Sequence, residues 1–334
     1  MKIGFFEVEG WEEKILRPQL SDDELSFSKE KIDIDNLPKD TSYDILSIFI
    51  DSKIEKGILS NFPNLKFVTT RSTGYEHINL VDCKEKGVLV SYVPGYAEDT
   101  VAEYTFGLIL NLTRKIYSAI SQVKSKEFFS IANFRGIDLK DKTLGVIGVG
   151  RIGKEVIKLA RGFGMKVIAT SPREESKLAK DLGFTYLSLE DLLKNSDIIT
   201  LHCPYNSSTH HLINKKNVNS IRKGAFLINT ARGGIVEAEA LVIALENGII
   251  QGAGLDVLEG EADMRDELEF LSKKTSSEEK LKTVIYDHML IKMPNVLITP
   301  HIAFNSYEAL TRIVNTTIEN IKNFKSQKPI NLAV

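Results

Sequence analysis

Three motifs late in the chain place ionisable side chains directly after short apolar runs. Arg232 lies in NTARGG, Asp256, Glu259 and Glu261 lie in GLDVLEGE, and His301 lies in TPHIAF. A guanidinium offers fixed donors to a carboxylate, and an imidazole can give or take a proton near neutral pH. Because open α/β sheets place their sites at strand ends, these side chains are candidates for one active site. Taken singly, the arginine could cap a helix and the histidine could be structural.

A glycine-rich loop precedes these motifs. Gly148, Gly150 and Gly153 follow the apolar run TLGVIG in the spacing G-x-G-x-x-G, and the helical pattern KEVIKLARGFG comes next. Small residues let the backbone turn tightly, approach a pyrophosphate and pack the helix on the strand. The first helical N–H groups are then available to phosphates. Strand, loop and helix in this order predict a dinucleotide site rather than a simple turn.

The second strand of this unit bears on the choice of cofactor. The run KVIATS ends at Ser171, where NAD-binding chains usually carry an acid that bonds the ribose hydroxyls and repels a 2′-phosphate. Arg173 follows two positions later and could pair with the 2′-phosphate of NADP. It could equally be a solvated residue beside Glu174 and Glu175. The sequence therefore leaves both NAD and NADP open, with tolerance of NADP(H) expected.

The elements that must position these residues are short β-rich runs alternating with helical patterns. Such alternation predicts parallel sheets with crossover helices, and hence two doubly wound α/β units. The runs lie at 2–8, 43–50, 66–72 and 88–93 in a first series, and at 143–148, 166–171, 197–203, 225–231, 252–257 and 295–301 in a second. One long helix is predicted from 97 to about 123.

The final segment, 306–324, predicts an amphipathic helix with no strand after it, so we expect it to return to the first domain. We predict a discontinuous, flavodoxin-like substrate domain at 1–100 and 302–334. A Rossmann-like dinucleotide-binding domain at 101–301 is inserted into it. The highly charged stretch 261–282 is either a solvated surface excursion or a cover over a site.

Bulk composition excludes several classes of protein. The formal net charge of -2 over 334 residues gives no basic surplus for nucleic acid or an anionic membrane surface. No apolar run reaches the roughly 18 residues that a membrane span needs. Cys83 and Cys203 fall in different predicted domains, so neither a disulfide framework nor a metal site is indicated. We expect a cytoplasmic protein that binds neither nucleic acid nor membrane.

Together, and in this order after the glycine loop, the motifs resemble the D-isomer-specific 2-hydroxyacid dehydrogenase family over essentially the whole chain. The resemblance implies that NAD(P)H reduces a 2-keto acid to the D-2-hydroxy acid. It implies that Arg232 would bind the substrate carboxylate and polarise the keto oxygen. His301 would donate a proton to the developing alkoxide, and Glu261 would hold the imidazole.

The resemblance also implies the remaining contacts with the cofactor. Cys203 is the least specific of them, because a small buried thiol at a strand end needs no function. The implied contacts are Arg151 and Ile152 at the pyrophosphate, Cys203 and Pro204 beside the adenosine, Thr209, Thr230 near the nicotinamide, Asp256 toward its carboxamide, and Ala231.

For the substrate, the family would use backbone N–H groups at Thr73 and Gly74. Tyr92 and Phe304 resemble the D-lactate dehydrogenase branch, where aromatic side chains would enclose the methyl group of pyruvate. We therefore expect reduction of pyruvate to D-lactate, by a homodimer formed through the cofactor domains. The alternatives are a glyoxylate or hydroxypyruvate reductase and, from a different class, a dinucleotide-sensing module that binds protein partners. Formate dehydrogenation is disfavoured, because that group pairs its histidine with glutamine rather than Glu261.

Overall fold

The computed structural model describes residues 1–126, 129–265 and 278–333. It divides into two compact units, one formed by Met1–Tyr96 with Asn305–Val334 and the other by Ala97–Phe304. The first unit is therefore discontinuous. The predicted boundaries, after residues 100 and 301, lie four residues beyond Tyr96 and three residues before Phe304.

Both units are built from short strands and crossover helices. The strands are β1 (Lys2–Phe5), β2 (Glu24–Phe27), β3 (Ile45–Ile48), β4 (Phe67–Thr70), β5 (Leu89–Ser91), β6 (Thr143–Ile147), β7 (Lys166–Thr170), β8 (Thr185–Tyr186), β9 (Ile198–Leu201), β10 (Ala225–Asn229), β11 (Ile250–Leu255) and β12 (Val296–Ile298). The helices are α1 (Gly10–Gln19), α2 (Lys56–Leu59), α3 (Leu80–Lys86), α4 (Glu98–Arg114), α5 (Ile116–Lys126), α6 (Arg151–Gly162), α7 (Ser176–Leu182), α8 (Leu189–Asn195), α9 (Ala238–Glu246), α10 (Glu261–Arg265), α11 (Glu278–Lys292) and α12 (Tyr307–Lys325).

The discontinuous unit contains a parallel sheet in the order β2-β1-β3-β4-β5. This order is the flavodoxin-like one, which confirms the predicted fold class. Apolar side chains cover both faces, as a parallel sheet requires. On one face, Val314, Ile318 and Ile321 of α12 join the core formed by β1 and β4, so the last helix packs on this unit.

The strand order of this sheet reverses between β1 and β3, a point where open α/β sheets usually leave a crevice for a ligand. Here the chain fills it with its own carboxylate. Glu7, with φ of 56°, accepts hydrogen bonds from the backbone N–H groups of Phe49 at 2.9 Å, Asp51 at 2.8 Å and Ser52 at 3.1 Å. These amides, which could otherwise bind an anion, are already satisfied.

The continuous unit contains a parallel sheet in the order β12-β11-β10-β9-β6-β7-β8. Counted from β6, this is the Rossmann order, with the reversal between β6 and β9. Helices α4 and α6 cover one face, and α9 and α11 cover the other. The reversal places the glycine loop after β6 beside the end of β9, at the expected binding crevice.

The sequence-based predictions differ from the structure in two respects. Strands β2 and β8 were not predicted; both are short edge strands, bonded to the sheet on one side only. The single helix predicted from 97 to 123 is wrong. Lys115 adopts φ of 53°, its N–H bonds back to Leu112, and α4 ends there before α5 begins. Among the described residues, none of the helices combines the length and apolar character needed to cross a bilayer.

Candidate active site

The glycine loop has the shape that a bound pyrophosphate requires. Gly148 adopts φ of 99°, and a Cβ there would lie 2.7 Å from the carbonyl oxygen of His202. A Cβ on Gly153 would collide with the carbonyl oxygen of Gly148, whereas Gly150, the N-cap of α6, faces open space. The loop thus presents the first amides of a twelve-residue helix next to an open backbone position. These residues fit a dinucleotide phosphate.

Two side chains at the start of α6 are the predicted neighbours of the pyrophosphate. Arg151 is exposed, and its Nε lies 3.4 Å from Oε1 of Glu98 on α4. Ile152 is half-buried and packs against the core beneath α6. Arg151 therefore lies at the helix terminus in contact with a carboxylate of its own unit.

The end of β7 contains no acid within the strand or at the next residue. Ser171 follows Thr170, the last residue of the strand, and is half-buried. The Gly148 N–H donates to the Thr170 carbonyl at 2.9 Å, so this strand end adjoins the glycine loop. Arg173 lies two residues further on, with an exposed side chain, before α7 begins.

The end of β9 contributes a neutral imidazole and a neutral thiol. Burial lowers the pKa of His202 to about 3, and its Nε2 lies 2.8 Å from Oγ1 of Thr200. Burial raises the pKa of Cys203 to about 11, which keeps the thiol protonated at neutral pH. A thiol in this state is a poor nucleophile, consistent with a residue that only lines a pocket.

Thr209 closes the loop that follows β9. Its hydroxyl donates to the Pro204 carbonyl at 2.7 Å and accepts from the Asn206 N–H at 2.8 Å. Thr209 and Pro204, both predicted cofactor contacts, therefore lie together in a loop held by its own hydrogen bonds.

The turn after β10 carries Arg232. Asn229 brackets this turn: its Oδ1 accepts from the Ala231 N–H at 3.0 Å, and its Nδ2 donates to the Arg232 carbonyl at 2.9 Å. Thr230 is fixed by Thr105 of α4, with 3.0 Å between their hydroxyl oxygens. The Arg232 guanidinium is half-buried and donates to the Ala231 carbonyl at 2.9 Å. The turn is therefore rigid around the arginine.

This turn lies against the loop that follows β11. A Cβ on Gly233 would collide with the carbonyl group of Leu258, so only glycine permits the approach. The β11 loop carries Glu259 and Glu261, so the structure brings the NTARGG and GLDVLEGE motifs together.

Asp256 anchors the turn that carries His301. Its carboxylate accepts from the Thr299 hydroxyl at 2.5 Å, the Ile302 N–H at 3.0 Å and the Ala303 N–H at 2.8 Å. Its backbone carbonyl accepts from the His301 N–H at 2.8 Å. Burial raises the pKa of Asp256, although these hydrogen bonds act in the opposite direction. Its predicted contact with the carboxamide stays a prediction.

His301 and Glu261 form the pair that the family resemblance implied. His301 Nδ1 lies 2.8 Å from Oε1 of Glu261, the first residue of α10. His301 adopts φ of 55°, a left-handed conformation that is uncommon for a residue with a side chain. A carboxylate at Nδ1 fixes the ring and keeps a proton on that nitrogen. The distal Nε2 is then the atom that can exchange a proton.

A second histidine–carboxylate pair was missed, and its carboxylate lies two residues before Glu261. His211 Nε2 lies 2.5 Å from Oε1 of Glu259, whose Oε2 accepts from the Ala238 N–H at 2.8 Å. His211 also adopts a left-handed conformation, with φ of 48°, and its N–H donates to the Gly234 carbonyl at 2.9 Å. The sequence offered no spacing signal that joins residues 211 and 259.

Asp287 is a second group that was missed. It is fully buried on α11, and its Oδ2 accepts from the Gly260 N–H at 2.7 Å. Burial raises the pKa of this carboxyl to about 7. In sequence it is one charged residue within the run TVIYDHMLI, and charged residues are usually exposed to solvent.

The predicted substrate contacts Thr73, Gly74 and Tyr92 lie together within the discontinuous unit. The Thr73 hydroxyl donates to the Val93 carbonyl at 2.8 Å, and the rings of Tyr75 and Tyr92 lie 5.5 Å apart. Phe304 is the last residue of the continuous unit and is half-buried.

The charged stretch predicted at 261–282 includes α10 and the start of α11. Residues 266–277 lie outside the described part of the chain, so the choice between a surface excursion and a cover is not described. Within the described ranges, no three His, Cys, Asp or Glu side chains come together as a metal site.

Comparison with known proteins agrees with this arrangement. Residues 106–303 match the family model described as D-isomer specific 2-hydroxyacid dehydrogenase, NAD binding domain. A D-specific alpha-keto acid dehydrogenase from Enterococcus faecium is 41% identical, covering 79% of this chain and 77% of that one. A glyoxylate reductase from Thermococcus litoralis is 35% identical, covering 89% and 85%.

Among solved structures, the D-lactate dehydrogenase of Aquifex aeolicus complexed with NAD and lactic acid superposes with a TM-score of 0.83. It is 35% identical, and the match covers 98% of this chain and 96% of that one. The likeness therefore extends over both units as well as the matched domain. The chain belongs to the D-isomer-specific 2-hydroxyacid dehydrogenases, and it is an oxidoreductase with the NAD-binding domain of that family.

Proposed function

We propose that this dehydrogenase reduces pyruvate to D-lactate, with Arg232, Glu261 and His301 as its catalytic residues. The observation that carries the proposal is the 2.8 Å contact between His301 Nδ1 and Glu261, in the unit that also holds the glycine loop and the Arg232 turn. This contact orients an imidazole for proton transfer through Nε2.

Arg232 binds the carboxylate of the keto acid and polarises its keto oxygen. A planar guanidinium suits both tasks because it keeps its charge and offers several donors in a fixed fork. The Asn229 bracket holds the turn, so little conformational freedom is lost when substrate binds. The backbone of Thr73 and Gly74 supplies further donors to the same carboxylate.

His301 donates the Nε2 proton to the keto oxygen as that oxygen gains negative charge, and it takes the proton back in the reverse direction. Glu261 holds the ring through Nδ1 and stabilises the imidazolium before transfer. Asp256 keeps the turn in place through three hydrogen bonds. Two carboxylates thus hold the proposed proton donor: Glu261 binds the His301 side chain, and Asp256 binds the backbone of the turn.

The reduced nicotinamide, when bound, supplies the hydride that reaches the keto carbon. Gly148, Gly150 and Gly153 hold the pyrophosphate at the start of α6. The remaining residues proposed as cofactor contacts belong to the same unit: Arg151, Ile152, Ser171, Arg173, Cys203, Pro204, Thr209, Thr230, Ala231 and Asp256.

For cofactor choice, we propose use of NAD(H) with tolerance of NADP(H). The half-buried Ser171 brings no negative charge to repel a 2′-phosphate, and the exposed Arg173 can attract one. A preference for NADH above about 100-fold in kcat/KM, equivalent to about 2.7 kcal/mol, would contradict this tolerance.

For substrate choice, Tyr92 and Phe304 support a short side chain such as a methyl group. The similar structure of the Aquifex aeolicus D-lactate dehydrogenase, complexed with NAD and lactic acid, also supports a substrate with a short side chain. The second candidate is reduction of glyoxylate or hydroxypyruvate, which the similarity to a glyoxylate reductase favours.

The test is a matrix of kcat/KM values for pyruvate, glyoxylate, hydroxypyruvate and phenylpyruvate, each with NADH and NADPH. We expect pyruvate to give the highest value. A highest value for glyoxylate or hydroxypyruvate would instead support the second candidate. If none of the acids is turned over with either cofactor, the reductase assignment fails and a dinucleotide-sensing role gains support. A homodimer and a cytoplasmic location stay predictions of the sequence.

A further inference from the structure

We propose that Asp287 is a positioning residue for the reduction: by binding the Gly260 amide, it holds Glu261 in contact with the imidazole of His301. The inference rests on the proposed roles of Glu261 and His301. It adds a residue of α11 that touches neither substrate nor cofactor.

The geometry of the contact supports this role. Asp287 is fully buried, and its Oδ2 accepts from the Gly260 N–H at 2.7 Å. Gly260 immediately precedes Glu261, so this hydrogen bond fixes the backbone next to the carboxylate that binds His301. A Cβ on Gly260 would lie 2.9 Å from the same Oδ2, closer than a real Cβ approaches an oxygen. A methyl group at Gly260 would therefore force this carboxylate to shift.

Two other contacts hold the loop before this point. The Leu258 carbonyl lies against Gly233, and Glu259 binds His211 and the Ala238 N–H. Of the three anchored residues, Leu258, Glu259 and Gly260, the one bound by Asp287 is adjacent to Glu261 in the chain. A shift at Gly260 would be passed to Glu261 across a single residue. A misplacement of about 1 Å can cost about a hundredfold in rate where geometry controls catalysis.

Stability alone is a poor explanation for Asp287. Burial of a carboxyl is unfavourable unless its oxygens are bonded, and Oδ1 has no hydrogen-bond partner among the described residues. The negative charge of Glu259 lies close enough to disfavour ionisation further, whereas the backbone hydrogen bonds from Gly260 and Glu259 and the charge of His288 act in the opposite sense. A leucine would fill the position without these costs, so a specific use of the carboxylate accounts for it better.

The experiment compares Asp287→Leu with Asp287→Asn, and with Leu290→Ala as a control on the same helix. Leu290 is 2% exposed, so its truncation destabilises the same helix without touching Gly260. We expect Asp287→Leu to lower kcat for pyruvate about tenfold or more, with the KM for NADH unchanged. Asp287→Asn keeps an acceptor for the amide and should stay within about threefold of the parent protein.

The comparison of kcat with Tm separates positioning from general destabilisation. Asp287→Leu should lower kcat at a temperature where the protein remains fully folded. Leu290→Ala should lower Tm but leave kcat little changed at that temperature. If Asp287→Leu leaves kcat unchanged as Leu290→Ala does, the positioning role is wrong.

A double-mutant cycle with Glu261→Ala tests the route of the effect. If Asp287 acts through Glu261, Asp287→Leu should change kcat by less than about twofold once Glu261 is absent. Independent, multiplying effects would overturn the inference. If Asp287→Leu does not fold, Gly260→Ala replaces it, because the added methyl group would lie 2.9 Å from the same carboxylate oxygen and force it to shift. An unchanged kcat in that variant would overturn the inference as well.

Failure of the inference and failure of the proposed function give different results. If Glu261→Ala leaves kcat unchanged, the catalytic assignment itself is wrong, and the role of Asp287 falls with it. If Glu261→Ala lowers kcat while the Asp287 and Gly260 variants do not, only the role of Asp287 is wrong.

Discussion

Two histidine–carboxylate pairs have their carboxylates two residues apart, at Glu259 and Glu261 after β11, whereas their histidines follow β9 and β12. Both histidines adopt left-handed backbone conformations, with φ of 55° at His301 and 48° at His211. They differ in the ring nitrogen that binds the carboxylate. Glu261 binds Nδ1 of His301, near the backbone, whereas Glu259 binds Nε2 of His211, at the far end of the ring.

This difference separates the proposed proton donor from a structural contact. Pairing through Nδ1 leaves the distal nitrogen of His301 clear of the carboxylate, as the proposed proton transfer requires. Pairing through Nε2 uses that nitrogen in His211, and Glu259 also binds the first amide of α9. Under the proposed function, the same two residue types would therefore serve catalysis in one place and loop anchoring in the other.

The most direct way to break this comparison is to remove the proposed donor. His301→Ala should lower kcat by at least about 100-fold, as loss of a general acid typically does. The dissociation constant for NADH, measured by fluorescence titration, should change little. An unchanged kcat would remove His301 from the mechanism and make the two pairs equivalent.

A substitution of Arg232 tests whether this residue binds the substrate carboxylate. Arg232→Lys should raise the KM for the keto acid about tenfold or more, because an ammonium cannot reproduce the bidentate fork. Steady-state kinetics at saturating NADH give the value. An unaffected KM would show that another group binds the carboxylate.

His211→Ala should act on stability more than on turnover. It leaves Glu259, whose side chain is 15% exposed, without one partner, at a cost of about 1–3 kcal/mol in the free energy of unfolding. Denaturant titration measures that cost. We expect kcat to remain within about threefold, and a loss as large as that of His301→Ala would contradict the comparison.

Asp287→Asn should give the smallest change in turnover and a change in stability that depends on pH. Because burial raises the pKa of this carboxyl from 3.8 to about 7, the folded protein retains the proton between these values and the unfolded chain releases it. Stability of the parent protein therefore falls as pH rises from about 4 to 7.

The asparagine variant lacks this dependence. It should match the parent near pH 4.5 and be more stable at pH 8, by an amount on the order of 1 kcal/mol or more. Thermal unfolding at the two pH values measures the difference. A difference independent of pH would show that Asp287 does not titrate in this range.

Much of the arrangement could be predicted from local sequence. The glycine loop, the strand runs and the three late motifs are local patterns. The structure places the glycine loop and the three motifs at strand ends within one unit. Strands β2 and β8 were missed because an edge strand needs little hydrophobic pattern. The break at Lys115 was missed because a lysine gives no signal of a left-handed helix end.

The residues missed around the active site share a different cause. His211 bonds Glu259 across 48 residues, and Asp287 bonds Gly260 across 27. Neither pairing follows from periodicity, because it depends on how β10, β11, α9 and α11 pack together. Burial inverts the usual expectation at Asp287, since a charged residue is ordinarily assigned to the surface.

The Glu7 carboxylate in the discontinuous unit has a consequence for stoichiometry. Each of the two sheets has a reversal of strand order where a nucleotide phosphate could bind, but in one of them Phe49, Asp51 and Ser52 already bind Glu7. Only the crevice beside the glycine loop remains for a dinucleotide. We therefore expect a chain with two such sheets to bind a single cofactor molecule, at the glycine loop.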